Sequence, residues 1–216
     1  YKSNGDGPAN LAIASKNLGV PFLHISSDYV FSGNTSSPWQ EDAIREPLSV
    51  YGKSKLLGEL AIQSLYPEMS YIVRTSWLYS PWKRNFVKTM MQAAVSNISV
   101  KVVSDQVGQP TSAIELAEQI VRLIRSNSPY GIYHGTNSGS TTWYELAKEV
   151  FKLVGKDPVK VQPCHTEDFS AIAKRPKFSV LDHSGWARTT LEPMRDWRIA
   201  LRDTFPLILR EMKGAV

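Results

Sequence analysis

One cysteine, Cys164, stands in the whole sequence, which excludes an internal disulfide framework and a cysteine-built metal site. A reducing, cytoplasmic setting is the expectation. No apolar run approaches the roughly 18 residues that a membrane-crossing helix needs, so no membrane partner is expected. Charge of one sign is not concentrated either. The 25 Lys and Arg against 20 Asp and Glu, for a formal net charge of +5, are scattered along the chain. Without a basic cluster interleaved with aromatics, nucleic-acid binding is not expected. His134, His165 and His183 show no ligand spacing, so no metal is expected. Cys164, read as a residue of a polar loop with no base beside it, does not resemble a catalytic thiol.

A phosphate cradle is missing as well. The stretch Gly5-Asp6-Gly7-Pro8-Ala9-Asn10 offers two glycines but no third, and no strand pattern precedes it. Binding a dinucleotide pyrophosphate needs strand, glycine turn and helix N-terminus in succession. The opening "YKSNGDGPAN" has neither the regions of a signal peptide nor an initiator Met, and is expected to belong to a piece of a longer chain.

What is present is a regular alternation. "ANLAIASKNLG" reads as a helix stopped by Gly19, and "VPFLHIS" as an apolar strand suited to burial on both faces, with His24 a satisfied core residue. Residues 33 to 47 read as a long polar loop, a length that in a compact domain suggests function. A helix over Val50 to Leu65 follows, then the strand "YIVRTSW", the helix "NFVKTMMQAAVSN" and the strand "VKVVSD". "AIELAEQIVRLIRSN" is an amphipathic helix. "GIYHGTN" reads as a strand, and "TTWYELAKEVFKLVG" as a helix capped by a threonine and opened by packing aromatics, Trp143 and Tyr144. "VKVQPCHTEDF", "RPKFSVLD" and "WRIALRDTFPLILREM" read as a strand, an extended segment and a closing helix. Strands alternating with helices mean βαβ units and a parallel sheet.

The chemistry concentrates in "DYVFSGNTSSPWQEDAIREPLSVYGKSKLLGELA", from Asp28 to Ala61. Residues four apart on a helix share a face, so Tyr51 and Lys55 present a phenol and an ammonium to one small volume. An ammonium ~4 Å from the phenol supplies roughly 4 kcal/mol at an effective dielectric of about 20, and would lower its pKa by up to ~3 units. Tyr51 would then serve as general acid to a carbonyl oxygen. Ser27 ends the preceding strand, where open α/β sheets place their ligands, and its hydroxyl can bond the same oxygen.

In that context "SSDYVFSG", "YGKSKLLGE", "VRTSWLYS", "NFVKTMM", "SDQVGQPT" and "RPKFSVLD", in this order, resemble the extended short-chain dehydrogenase/reductases. Among these they are most similar to the dTDP-4-dehydrorhamnose reductases, a resemblance running from about Leu11 to Leu209. It implies an α/β fold: a partial Rossmann-like parallel sheet, representing the C-terminal half, with a smaller α+β substrate lobe. Residues 1–100 would be the remaining part of the NAD(P)-binding domain, and 101–216 mainly the substrate lobe with interleaved Rossmann elements.

By the same resemblance Tyr51 donates the proton, Lys55 holds the nicotinamide ribose and Ser27 bonds the C4 carbonyl of a nucleotide sugar. Asp28 and Trp77 line the sugar pocket, with Trp77 equally readable as a cap on the core. Arg175 approaches the diphosphate. The cofactor is NADPH or NADH, its binding loop absent from this sequence. Tyr29 stands where the related 4,6-dehydratases carry a Glu, which disfavours elimination chemistry. A reductase-like regulatory subunit, similar to the β subunit of methionine adenosyltransferase, and a sugar-nucleotide epimerase remain alternatives. Without the first half of such a sheet, the strand from Val20 to Ser26 becomes an exposed edge. Self-association through that edge and weak or absent turnover are expected.

Overall fold

The computed structural model describes residues 1–168 and 174–214; Phe169, the last residue of the "VKVQPCHTEDF" segment, lies outside them. The chain opens with α1 (Asp6–Leu18), which ends at Gly19 and turns into β1 (Phe22–Ser27). A 3-10 turn, Asp28–Val30, leads into the long loop. Helix α2 (Val50–Leu65) starts at Ser49, whose side chain accepts from the Gly52 N–H and so satisfies one of the helix's orphan donors. It is followed by β2 (Ser70–Thr75), β3 (Leu78–Tyr79) and α3 (Phe86–Val95), the last capped by Asn85.

The second half runs β4 (Val100–Val103), β5 (Val107–Gly108), β6 (Thr111–Ser112), α4 (Ala113–Arg125) and β7 (Gly131–His134). Then come β8 (Thr141–Thr142), α5 (Trp143–Leu153) capped by Thr142, β9 (Val161–Cys164) and α6 (Trp197–Gly214). Among the described residues no helix is long and apolar enough to cross a membrane.

The central sheet is parallel, in the order β1-β2-β7, with Ser27 beside Thr75 and Arg74 beside His134. Strand β7 thus enters the sheet from the second half of the sequence. Two-stranded pieces, β3-β6 and β4-β9 parallel and β5-β8 antiparallel, build the rest.

The two largest of four apolar clusters among the described residues hold these layers. The larger joins α3, α5 and α6 through Met91, Phe151, Trp197 and Leu201; the smaller lies between β2, β7 and α4 around Tyr71, Leu123 and Trp186. A buried ion pair ties α2 to the central strand: Arg74 donates to both oxygens of Glu59, at 2.9 and 2.8 Å. Arg74 Nη1 also donates to the Glu41 carbonyl, which holds the long loop against the sheet.

Two expectations are corrected here. Strand β1 is not buried on both faces: Phe22 to Ile25 are half-exposed while Ser26 and Ser27 are buried, because among the described residues β1 pairs with β2 alone. Cys164 is not in a polar loop but ends β9, buried, and burial pushes its thiol pKa up. Among the described residues no group of three metal-ligating side chains occurs.

Candidate active site

The carboxyl end of β1 opens into a cleft of about 1120 Å³. Ser26, Ser27, Asp28 and Tyr29 enter it from the strand end, and Ser49, Tyr51 and Lys55 from the first turns of α2. Thr75, Ser76 and Trp77 enter from the end of β2, with Lys174 and Arg175 on the rim. All six residues expected at the site, Ser27, Asp28, Tyr51, Lys55, Trp77 and Arg175, therefore border one space.

Close packing at one glycine brings Tyr51 to Ser27. A Cβ on Gly52 would collide with the Tyr29 carbonyl, so α2 docks against the 3-10 turn only because position 52 has no side chain. The Tyr51 and Tyr29 rings meet edge to face, 5.6 Å between centroids. Ser27 Oγ donates to Asp28 Oδ1 at 2.9 Å and accepts from the Tyr29 N–H at 3.2 Å.

The electrostatics depart from the expectation in one respect. Tyr51, 48% exposed, has a pKa raised above the ordinary phenol value. Burial of the phenol is the main cause; the Ser27 hydroxyl facing it opposes the rise and the Asp28 charge adds to it. Lys55 does not lower it here, because its ammonium is turned to the strand: Nζ donates to the Ile25 carbonyl at 2.5 Å and lies 3.2 Å from His24 Nε2. Lys55 is only 7% exposed, and burial lowers its pKa while the Glu59 charge pulls it back up.

Asp28 is buried, and loss of solvation lifts its carboxyl to about 6, against hydrogen bonds from Ser179 and Ser27. Among the described residues its Oδ2 has no hydrogen-bond partner of good geometry. For Glu59, burial alone would raise the carboxyl, but bonds from Arg74, Ser26 and Arg45 hold it below the ordinary range.

Trp77 is both pocket wall and core cap. Its backbone sits at φ 45°, and its ring stacks on Trp143 with centroids 3.6 Å apart. A Cβ on Gly108 would stand 2.5 Å from that ring, so the indole lies flat against bare backbone. Trp143, beyond the stack, lines a second cavity of about 680 Å³ with Phe86, Gln106 and Thr166, and Lys174 and Arg175 border both spaces.

Sequence reasoning missed His24 and Lys174. His24 is not a buried core residue but a half-exposed edge-strand residue meeting Lys55. Its alternation with Ser26, which reaches Glu59 on α2, was the available signal. Lys174 adjoins Arg175, so two cations in succession marked the rim.

A parallel sheet whose strand-end hydroxyl faces a helix-borne tyrosine and lysine defines an extended short-chain dehydrogenase/reductase. Residues 1–208 match the family described as the RmlD substrate binding domain. A dTDP-4-dehydrorhamnose reductase of Streptomyces griseus is 44% identical over 209 residues, 95% of this chain and 69% of that protein. The crystal structure of a dTDP-4-dehydrorhamnose reductase from Clostridium acetobutylicum superimposes with a TM-score of 0.89 at 44% identity, covering 95% of this chain and 72% of that one. A Bacillus anthracis dTDP-4-dehydrorhamnose reductase in complex with NADP gives 0.89 at 38% identity, covering 94% and 71%. The chain belongs to the dTDP-4-dehydrorhamnose reductase family.

Proposed function

We propose that this chain carries the substrate side and the proton-donating groups of a reductase that converts dTDP-4-dehydro-L-rhamnose to dTDP-L-rhamnose, using NADPH or NADH. The observation that supports it is the meeting of Ser27, Tyr51 and Lys55 in one cleft with Lys174 and Arg175 on its rim. A bound nicotinamide dinucleotide supplies the hydride that reaches C4.

The donor set suits the nicotinamide-ribose end of such a cofactor, since Lys55 is a buried cation opening on the cleft. It does not suit the pyrophosphate. The N–H groups of Gly5 and Gly7 are bonded to the Tyr1 and Lys2 carbonyls and face no ligand site. In the proposed reaction Tyr51 protonates the C4 oxygen as negative charge develops there. Ser27 has a single hydroxyl proton, now donated to Asp28; when the ketone is bound it turns to the C4 oxygen. Lys174 and Arg175 hold the diphosphate, Trp77 forms a flat wall for the sugar, and the cavity beyond Trp143 receives the base. Residues 1–100 would then serve the cofactor and 101–216 mainly the substrate.

A Streptomyces niveus relative, 40% identical, is named dTDP-4-keto-6-deoxy-D-glucose reductase, so both sugar nucleotides belong in the assay. In a chain extended to the length of its curated relatives, NADPH oxidation with dTDP-4-dehydro-L-rhamnose should fall by about 10²–10⁴-fold on Tyr51→Phe with sugar-nucleotide binding kept. Unchanged turnover would leave a binding subunit as the better reading. We further propose that the protein works in the cytoplasm and that the edge of β1 left unpaired among the described residues is a surface for self-association.

A further inference from the structure

Lys55 makes its two hydrogen bonds to strand β1, and one of the partners is a side chain. An ammonium has three N–H donors. One goes to the Ile25 carbonyl and one faces His24 Nε2 at 3.2 Å, which leaves the third for the cleft. His24 occupies the face of β1 that looks at α2, in alternation with Ser26, whose hydroxyl donates to Glu59 one turn beyond Lys55.

We propose that His24 is a positioning residue: its Nε2 accepts a hydrogen bond from Lys55 Nζ and, together with the Ile25 carbonyl, aims the remaining ammonium N–H into the cleft with Ser27 and Tyr51. The inference rests on the reading of Lys55 as the residue that holds the cofactor ribose. It requires an imidazole that is uncharged near neutral pH, and burial, reinforced by the Lys55 charge, lowers the His24 pKa to about 4 against a weaker opposing pull from Glu59. Among the described residues Glu59 is the charged group that acts on Lys55, with Asp28, Lys174 and Arg175 bordering the same cleft and the Tyr51 phenol one turn away on the same helix face. With Nε2 accepting, the His24 proton sits on Nδ1.

The test begins on the unaltered chain. Nitrogen NMR of the His24 ring near neutral pH should show the neutral tautomer protonated at Nδ1; a ring protonated at Nε2 overturns the proposal, with no variant required. Lys55 is then titrated through its side-chain resonances in His24→Leu, which removes the acceptor, and His24→Gln, which keeps an amide oxygen. The Lys55 pKa should fall by about one unit, a tenfold change in ammonium stability, in the leucine variant and largely recover in the glutamine variant. Equal midpoints in all three proteins, or equal loss in both variants, would also overturn it. In the extended chain, Lys55→Ala separates the two readings. Intact carbonyl reduction in that variant, alongside the expected tautomer and titration, rejects the ribose-holding role of Lys55 and leaves its geometry with His24 standing.

Discussion

Glu59 and Arg74 face each other as a fully buried pair, the guanidinium donating to both carboxylate oxygens at 2.9 and 2.8 Å. The pair bolts α2 to the central strand of the sheet. Tyr51 and Lys55 stand two turns and one turn before Glu59 on that helix, so the bolt also holds the site in register.

Removing one partner of a buried pair strands the other charge and costs about 3–5 kcal/mol. Glu59→Gln should therefore lower the chemical-denaturation stability by about that amount. The Glu59 pKa is depressed, so its contribution is present above the unfolded carboxylate range and is lost as pH falls through the lower folded value. Urea midpoints for the two proteins should converge toward strongly acid pH; a constant gap down to that range would contradict the assignment.

Asp28 has the opposite sign. Its folded pKa is raised to about 6, so the folded state holds the proton that the unfolded chain releases near 4. Its effect on stability is therefore unfavourable above about pH 6, absent below about pH 4, and grows as pH rises between them, on the order of 2–3 kcal/mol in total. Thermal melts of Asp28→Asn and the unaltered chain should match near pH 4 and separate by pH 7, with the variant more stable. The same melting temperature at both pH values would show an ordinary surface-like carboxylate.

Gly52→Ala forces a Cβ against the Tyr29 carbonyl. Overpacking of this kind costs about 1–3 kcal/mol. Because the strain falls between α2 and the 3-10 turn, the variant should also alter the Tyr51 phenol titration that Ser27 and Asp28 now shape. Full stability together with an unchanged Tyr51 titration would mean that the helix does not dock as closely as described.

Among the described residues strand β1 has one paired side, and Leu11 and Leu18 of α1 and Val20 before the strand are exposed. An unpaired edge beside apolar surface invites a second strand. Sedimentation at micromolar concentration should give species heavier than the 24.2 kDa chain; a single monomeric boundary would sink the edge-pairing proposal.

Helices were the most legible part of the sequence. The stretch from Val50 to Leu65 was readable to the residue, since the apolar spacing and Pro67 act within a few positions of the chain. Short strands such as Val107–Gly108 were not, because two residues carry no periodicity and pair only when distant segments arrive. Cys164 was read both inside the strand segment "VKVQPCHTEDF" and as a polar-loop residue, because its burial depends on pairing with Val103, 61 positions away.

The sequence by itself determined that a phenol and an ammonium share one helix face after a strand ending in serines. Backbone hydrogen bonding imposes that periodicity whatever surrounds it. Tertiary structure decided where the ammonium points and which way the phenol's pKa moves. Those depend on burial and on the closeness of β1 to α2, about thirty residues apart in the chain, and Coulomb and solvation energies follow distance in space rather than distance along the backbone.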